Sequence, residues 1–225
     1  MTTIDAGTAK LAGLQADMLQ KILGGHITLS HLEWFNNLTL SQRNMLSGAD
    51  LTKLGDPRFV YVKTIEVTVP EGYDHATRLD TYKVGHESEY YYYNLGLTDA
   101  NFANASTKLT AGRKFGVKVF VIKSRVSSDD CLAQYERVNA VKVGAQGLTI
   151  LCEQKKDELP KGKCYVSFDE KDNLPLIDGY HRVSGVYADA GGDFNFDLGN
   201  FELDWYDYYV LLAFCDLPEQ PLDAQ

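Results

Sequence analysis

The stretch KFGVKVFVIK (residues 114–123) constrains the fold more than any other part of the chain. Val117, Val119 and Val121 alternate with Phe120 and Ile122, so as a strand it carries apolar side chains on both faces, and such a strand needs cover on both sides. Upstream, FVYVKTIEVTV (59–69) has the same two-residue period. Its spacing puts Phe59, Tyr61, Ile65, Val67 and Val69 on one face with Lys63 as the exception, and Thr64, Glu66 and Thr68 on the other, the pattern of a half-buried strand. A chain of 225 residues with 44% hydrophobic and 24% charged side chains has enough apolar material to bury such strands without a metal or disulfide staple.

Before residue 56 the period is helical. Leu11, Leu14, Met18, Leu19, Ile22 and Leu23 recur at helical spacing up to Gly24-Gly25. Ser30 with Glu33 three residues on reads as a capping box that starts a second helix through Leu32, Trp34 and Phe35. Thr39 or Ser41 caps a third short helix ended by Gly48. Three short helices with tight turns suggest a helix-turn-helix, but Lys10, Lys21, Arg43 and Lys53 against four acids are too few for a DNA-reading module. The reading is a helical docking or packing arm.

After the central strand, Ser127-Ser-Asp-Asp begins a helix reaching about Val138, with acids in its first turn as the helix dipole prefers. Leu148 to Cys152 then reads as a strand, so residues 115–152 form a strand–helix–strand unit, read as a parallel crossover. Residues 90–93 are a short strand candidate, and Thr98 caps a brief helix over 99–105. The remainder reads as strands at 163–168, 193–198, 201–205 and 208–215, with a turn at Gly199-Asn200. The expected class is α+β: an N-terminal helical segment (1–55) packed on a mostly antiparallel or mixed β domain (56–217) with one strand–helix–strand crossover, then a loose tail (218–225).

Charge is unevenly spread. The net −9 comes from the last sixty residues, where 166–225 hold 13 acidic and 2 basic side chains. That sign repels phosphate backbones and anionic membranes, and it favours a basic protein partner or a cation. The N-terminus has no basic, apolar and small-residue pattern of a secretory signal. The longest uncharged apolar run, 208–215, is too short to span a bilayer. Cys131, Cys152, Cys164 and Cys215 match neither a metal knuckle nor a disulfide scaffold, so reduced thiols in a cytoplasmic protein are expected.

Several residues carry candidate chemistry. Asp189, Asp193, Asn195 and Asp197, set among glycines, offer the oxygen ligands that a divalent cation such as Ca²⁺ collects, although the spacing is not that of an EF-hand. Their alternation with Phe194, Phe196 and Leu198 equally describes a hairpin strand with one wet face. Cys131 in the first turn of a helix is a nucleophile candidate, opposed by Asp129 and Asp130 beside it. His181 is its candidate base, with Asp178 placed to orient the ring; as a lone histidine beside an acid it otherwise reads as a solvated turn residue. Residues 90–93 and Trp205, Tyr206, Tyr208 and Tyr209 concentrate eight aromatic side chains in two short segments. With Asp204 and Asp207 the second segment reads as an acidic, aromatic binding surface, or as core residues with hydroxyls at the rim.

Five phrases, KLTAGRKFGVKVF (108–120), VGAQGL (143–148), KKDELPKGKCYVSFDEKD (155–172), DGYHRV (178–183) and GDFNFDLGNFE (192–202), resemble a group of uncharacterised proteins of small-genome, candidate-phyla bacteria. GGHITLSHLEWF (24–35) is similar to the helical leader of the same group. The resemblance covers most of the chain and implies a bacterial, cytoplasmic protein, with no activity, cofactor or catalytic residue to carry over. The group's pattern has tryptophan where this chain has Cys164, which argues against a metal-ligand or redox role for that cysteine.

The functional expectation is a non-enzymatic cytoplasmic binding or interaction module without a cofactor, presenting the acidic, aromatic C-terminal surface to a basic protein partner. The alternatives are a hydrolase using the aspartates with a divalent cation or Cys131 with His181, and a Ca²⁺-assisted carbohydrate binder.

Overall fold

The computed structural model describes residues 19–23, 27–37, 56–191 and 193–217. The chain divides into two compact units, Met1–Pro57 and Arg58–Gln225. In the first, residues 19–23 are helical and helix α1 spans Leu29–Asn37. Its start lies earlier than the Ser30 capping box predicts. Thr28 precedes the helix and trades contacts with His31: the His31 N–H donates to Thr28 Oγ1 at 3.4 Å, and the Thr28 N–H donates to His31 Nδ1 at 3.1 Å. The start of the first predicted helix, the third predicted helix and the 218–225 tail lie outside the described residues.

The second unit is a mixed sheet of eight strands: β1 (Phe59–Thr68), β2 (Tyr92–Tyr93), β3 (Lys114–Ile122), β4 (Lys163–Ser167), β5 (Leu176–Ile177), β6 (Tyr180–Ala188), β7 (Phe194–Asn200) and β8 (Tyr209–Asp216). Its order is β1-β3-β8-β4-β6-β7-β2, with β5 paired to β6. All pairs are antiparallel except β4 with β8 and β2 with β7. The helices are α2 (Arg78–His86), α3 (Ser128–Arg137) and α4 (Gly144–Lys155). The class is α+β, as expected.

The doubly apolar strand behaves as its composition requires. On β3, Val117 and Val119 face one apolar cluster, together with Val210, Leu212 and Phe214 of β8, Tyr165 of β4, Val186 of β6, Phe194 and Phe196 of β7, and Leu148 and Leu151 of α4. Phe120 and Ile122 face a second cluster with Leu211, Val166, Val183, Cys131 and Tyr135 of α3, Phe168 and Trp205. One sheet therefore separates two cores, each roofed by helix or loop.

The strand β1 shows why Lys63 breaks the pattern. Tyr61 pairs with Phe120 but Lys63 pairs with Val119, so a bulge at Val62 flips the phase. Phe59 consequently joins the second cluster while Ile65, Val67 and Val69 join the first. The single face predicted for all of them is corrected by that one extra residue.

The helix α3 forms where its sequence says. Ser127 Oγ accepts from the Asp130 N–H at 3.1 Å, and Asp130 Oδ2 accepts from the Ser127 N–H at 2.9 Å, a full capping box. The predicted strand 148–152 is instead the middle of α4. Every residue from Gly144 to Cys152 is buried, and a helix buried all round has no polar face to reveal its period, so a short apolar run imitates a strand. The connection from β3 to β4 thus runs through two helices. It is not a parallel crossover: β8 lies between the two strands, antiparallel to β3 and parallel to β4, so β3 and β4 run in opposite directions.

Other corrections are local. Residues 98–104 form a series of turns, in which Thr98 Oγ1 accepts from the Asn101 N–H, rather than a helix. Gly199 and Asn200 continue β7, and the chain turns only after them. Residues 201–204 are not a strand, and Trp205 makes an isolated bridge with Val126. The strand β6, with Ser184 and Gly185 at its centre, was not foreseen. Among the described residues no helix is long and apolar enough to cross a membrane.

Candidate functional site

Sheet register builds a groove on the second face of the sheet. Tyr209 of β8 lies opposite Cys164 of β4, Cys164 opposite Tyr187 of β6, Tyr187 opposite Asn195 of β7, and Asn195 opposite Tyr92 of β2. Directly opposed residues point to the same face, so these side chains form one lateral row, each strand about 4.8 Å from the next. In the next row Val166 lies opposite Gly185 and Gly185 opposite Asp197. Gly185 contributes no side chain, and a Cβ there would meet Cys164 Sγ and Val166 Cγ1 at 3.3 Å. A depression lined by the Gly185 backbone lies between the aromatic row and Asp197.

The depression opens into a groove of about 400 Å³, within the range of small-ligand pockets. The rings at its wall form a connected series: Tyr187 on Tyr208 (centroids 5.5 Å), Tyr208 on Tyr209 (5.1 Å) and Tyr209 on Trp205 (4.8 Å). Tyr91 and Tyr92 close the far side. Tyr91 is 83% exposed and Tyr92 47%, whereas Tyr90 is buried and Tyr93 packs on the first cluster.

The polar content of the groove is acidic. Among the described residues no lysine, arginine or histidine lines it. Asp197 Oδ1 accepts from Asn94 Nδ2 at 2.7 Å and from the Leu198 N–H at 2.8 Å, while Oδ2 has no hydrogen-bond partner among the described residues. Asn195 Oδ1 is buried without a partner among the described residues. Burial, and then the charge of Asp197, pushes the Cys164 thiol up to about 12, and burial is the chief cause that pushes the Tyr209 hydroxyl up to about 12. The thiol and this phenol therefore stay neutral at physiological pH.

The structure sorts the residues picked out by sequence. Tyr208, Asn195 and Asp197 meet in the groove with Tyr209. Trp205 touches it only with its edge: it is 2% exposed, and its indole N–H donates to Ser128 Oγ at 2.8 Å. It is a core residue, which corrects its reading as a surface anchor. Tyr206 is half exposed and supports Tyr209 from outside at 5.2 Å. Asp204 pairs with Arg125, and the Asp207 carbonyl accepts from Lys163 Nζ.

Asp189 and Asp193 close the β6–β7 hairpin, where Asp189 Oδ1 accepts from the Asp193 N–H at 2.9 Å and the Asp189 N–H donates to the Asp193 carbonyl at 2.9 Å. Asn195 and Asp197 sit further down the strand. Among the described residues no group of three or more His, Cys, Asp or Glu side chains could hold a metal ion. The predicted Cys131–His181–Asp178 arrangement is not assembled either. Cys131 is 0% exposed inside the second cluster, where no substrate reaches it. His181 lies on strand β6, not in a loop, and its Nδ1 meets Glu202 Oε1 at 2.6 Å. Asp178 points to Arg182 instead, at 3.7 Å.

Sequence reasoning missed Tyr187 and Gly185. Their only signal is alternation with Val183 along β6, masked by Ser184 and Gly185 at its centre. Comparison with protein-family models, characterised proteins and solved structures found no match.

Proposed function

We propose that this chain is a non-enzymatic, cytoplasmic binding module that docks a basic segment of a protein partner in the groove on the second face of the sheet. The observation that carries the reading is the union of Tyr92, Tyr187, Tyr208 and Tyr209 with Asp197 in one depression that no basic side chain among the described residues lines. Aromatic rings beside a carboxylate attract cations through the ring quadrupole as well as through charge. The surrounding segment adds a field of the same sign, since 166–225 hold 13 acidic and 2 basic residues, and such a field speeds the approach of a basic partner.

The test uses the full chain and a fluorescein-labelled decapeptide of mixed lysine and arginine, beside an acidic decapeptide, followed by anisotropy. The basic peptide binds, more weakly as salt rises, and the acidic one does not. Tyr92→Ala with Tyr208→Ala lowers affinity by roughly fivefold or more, the value of lost cation–π contacts. Unchanged binding by the double variant would move the interaction off the groove and onto the acidic surface at large.

A further inference from the structure

We propose that the groove reads a guanidinium group, so that an arginine side chain is the anchor of the partner segment; this rests on the binding reading above. Two acceptors in the groove lack donors. Asp197 Oδ2 has no partner among the described residues, its sister oxygen being held by Asn94 and the Leu198 N–H. Asn195 Oδ1 is buried and has no partner among the described residues either. A half-turn of the Asn195 amide, which breaks no hydrogen bond among the described residues, brings its oxygen toward an entering donor.

The spacing of these acceptors separates the two basic side chains. Asn195 and Asp197 are two residues apart on β7 and share a face, which sets their Cα atoms about 7 Å apart, a span their side-chain oxygens keep where neither side chain leans toward the other. One ammonium nitrogen donating to both reaches across at most about 5.8 Å, twice a hydrogen bond of about 2.9 Å. A guanidinium spreads its donors over three nitrogens held in one plane and reaches further.

The walls favour the same group. A flat cation stacks on tyrosine faces in a way that a compact, strongly hydrated ammonium does not. Tyr187 and Tyr92 flank Asn195 from the neighbouring strands. Gly185, opposite Asp197, lines the groove with backbone alone, and Cys164 and Val166 stand close enough that a Cβ there would meet both at 3.3 Å. The groove supplies a carboxylate, an amide oxygen without a partner among the described residues, and ring faces, with no competing cation among the described residues of its lining.

The experiment compares two labelled nonapeptides that differ only in carrying three arginines or three lysines, titrated with the full chain at about 150 mM salt, where long-range attraction is screened. The arginine peptide binds about tenfold tighter or more. Asp197→Asn, isosteric and at an exposed position, reduces that preference to about threefold or less while the melting temperature stays within about 2 °C of the parent. Equal binding of the two peptides by the parent chain would overturn the guanidinium site and leave the basic-partner reading standing. Binding of neither peptide would overturn both. An arginine preference that survives Asp197→Asn would place the selecting group elsewhere and overturn the site.

Discussion

Trp205 sits in the acidic run Asp204-Trp205-Tyr206-Asp207, and by local context it belongs to a surface. Its ring instead meets Phe168 at 5.1 Å and Tyr209 at 4.8 Å, and its tip fills the space above Gly199, where an added Cβ would lie 2.7 Å from Cη2. Gly199 is thus a glycine of close approach, not of a turn, which is why the turn predicted there did not form. Replacing Trp205 by alanine removes a buried ring and leaves a cavity. We expect Trp205→Ala to lower stability by about 3–5 kcal/mol and Tyr92→Ala, at an exposed ring, by less than about 0.5 kcal/mol, both read from urea unfolding. Equal costs would mean that the two rings share one environment. Tyr208 was legible as a candidate binding residue, and Asp197 only as a candidate cation ligand, because solvent-facing aromatic and acidic side chains mark themselves in a strand-rich segment. Tyr187 was not, since nothing beside it in sequence distinguishes a groove tyrosine from a core one.

Among the elements, α3 was the most legible, because a capping box is a local device: donor and acceptor lie three residues apart. The structure gives Asp130 a second task. Arg58, just before β1, donates to it through Nη2 at 2.7 Å and Nη1 at 3.0 Å, tying the first strand to α3. Burial works against the Asp130 charge, but the bonds from Arg58 and Ser127 outweigh it and hold the carboxyl below the usual carboxylate range. A carboxyl lowered in the folded state adds stability that is complete above its unfolded value near about pH 4 and is lost as pH falls through the lower folded value. Asp130→Asn should therefore cost about 1–2 kcal/mol at neutral pH, and the gap to the parent should close on acidification below about pH 4. Urea titrations at neutral and acidic pH check this, and a gap that persists in acid would remove the ionic contribution. The helix α4 was illegible for the opposite reason. With Gly144 to Cys152 all buried, its period is erased by the sheet and loops packed round it.

At the scale of the molecule, β8 is central in the sheet, antiparallel to β3 on one side and parallel to β4 on the other. Its residues feed both cores, with Val210, Leu212 and Phe214 in one and Leu211 and Ala213 in the other. A chain stopped after Tyr208 leaves two half-sheets with open edges and should lose its cooperative urea transition and near-ultraviolet circular dichroism; a sharp transition retained by that chain would show that the sheet closes without β8. Sequence by itself determined the α+β class, the doubly covered β3, the start of α3, the identity of β8 as an apolar strand and the concentration of acid after residue 166, because periodicity, capping and charge are properties of neighbouring residues. Tertiary structure decided the rest. It set the flip of β1 at Val62, the helix at α4, the insertion of β8 between β3 and β4, and the row of Tyr92, Asn195, Tyr187, Cys164 and Tyr209 that makes the groove. The physical reason is register: a strand's own pattern says which residues share its face, and only packing across the whole sheet says which residues of other strands stand beside them.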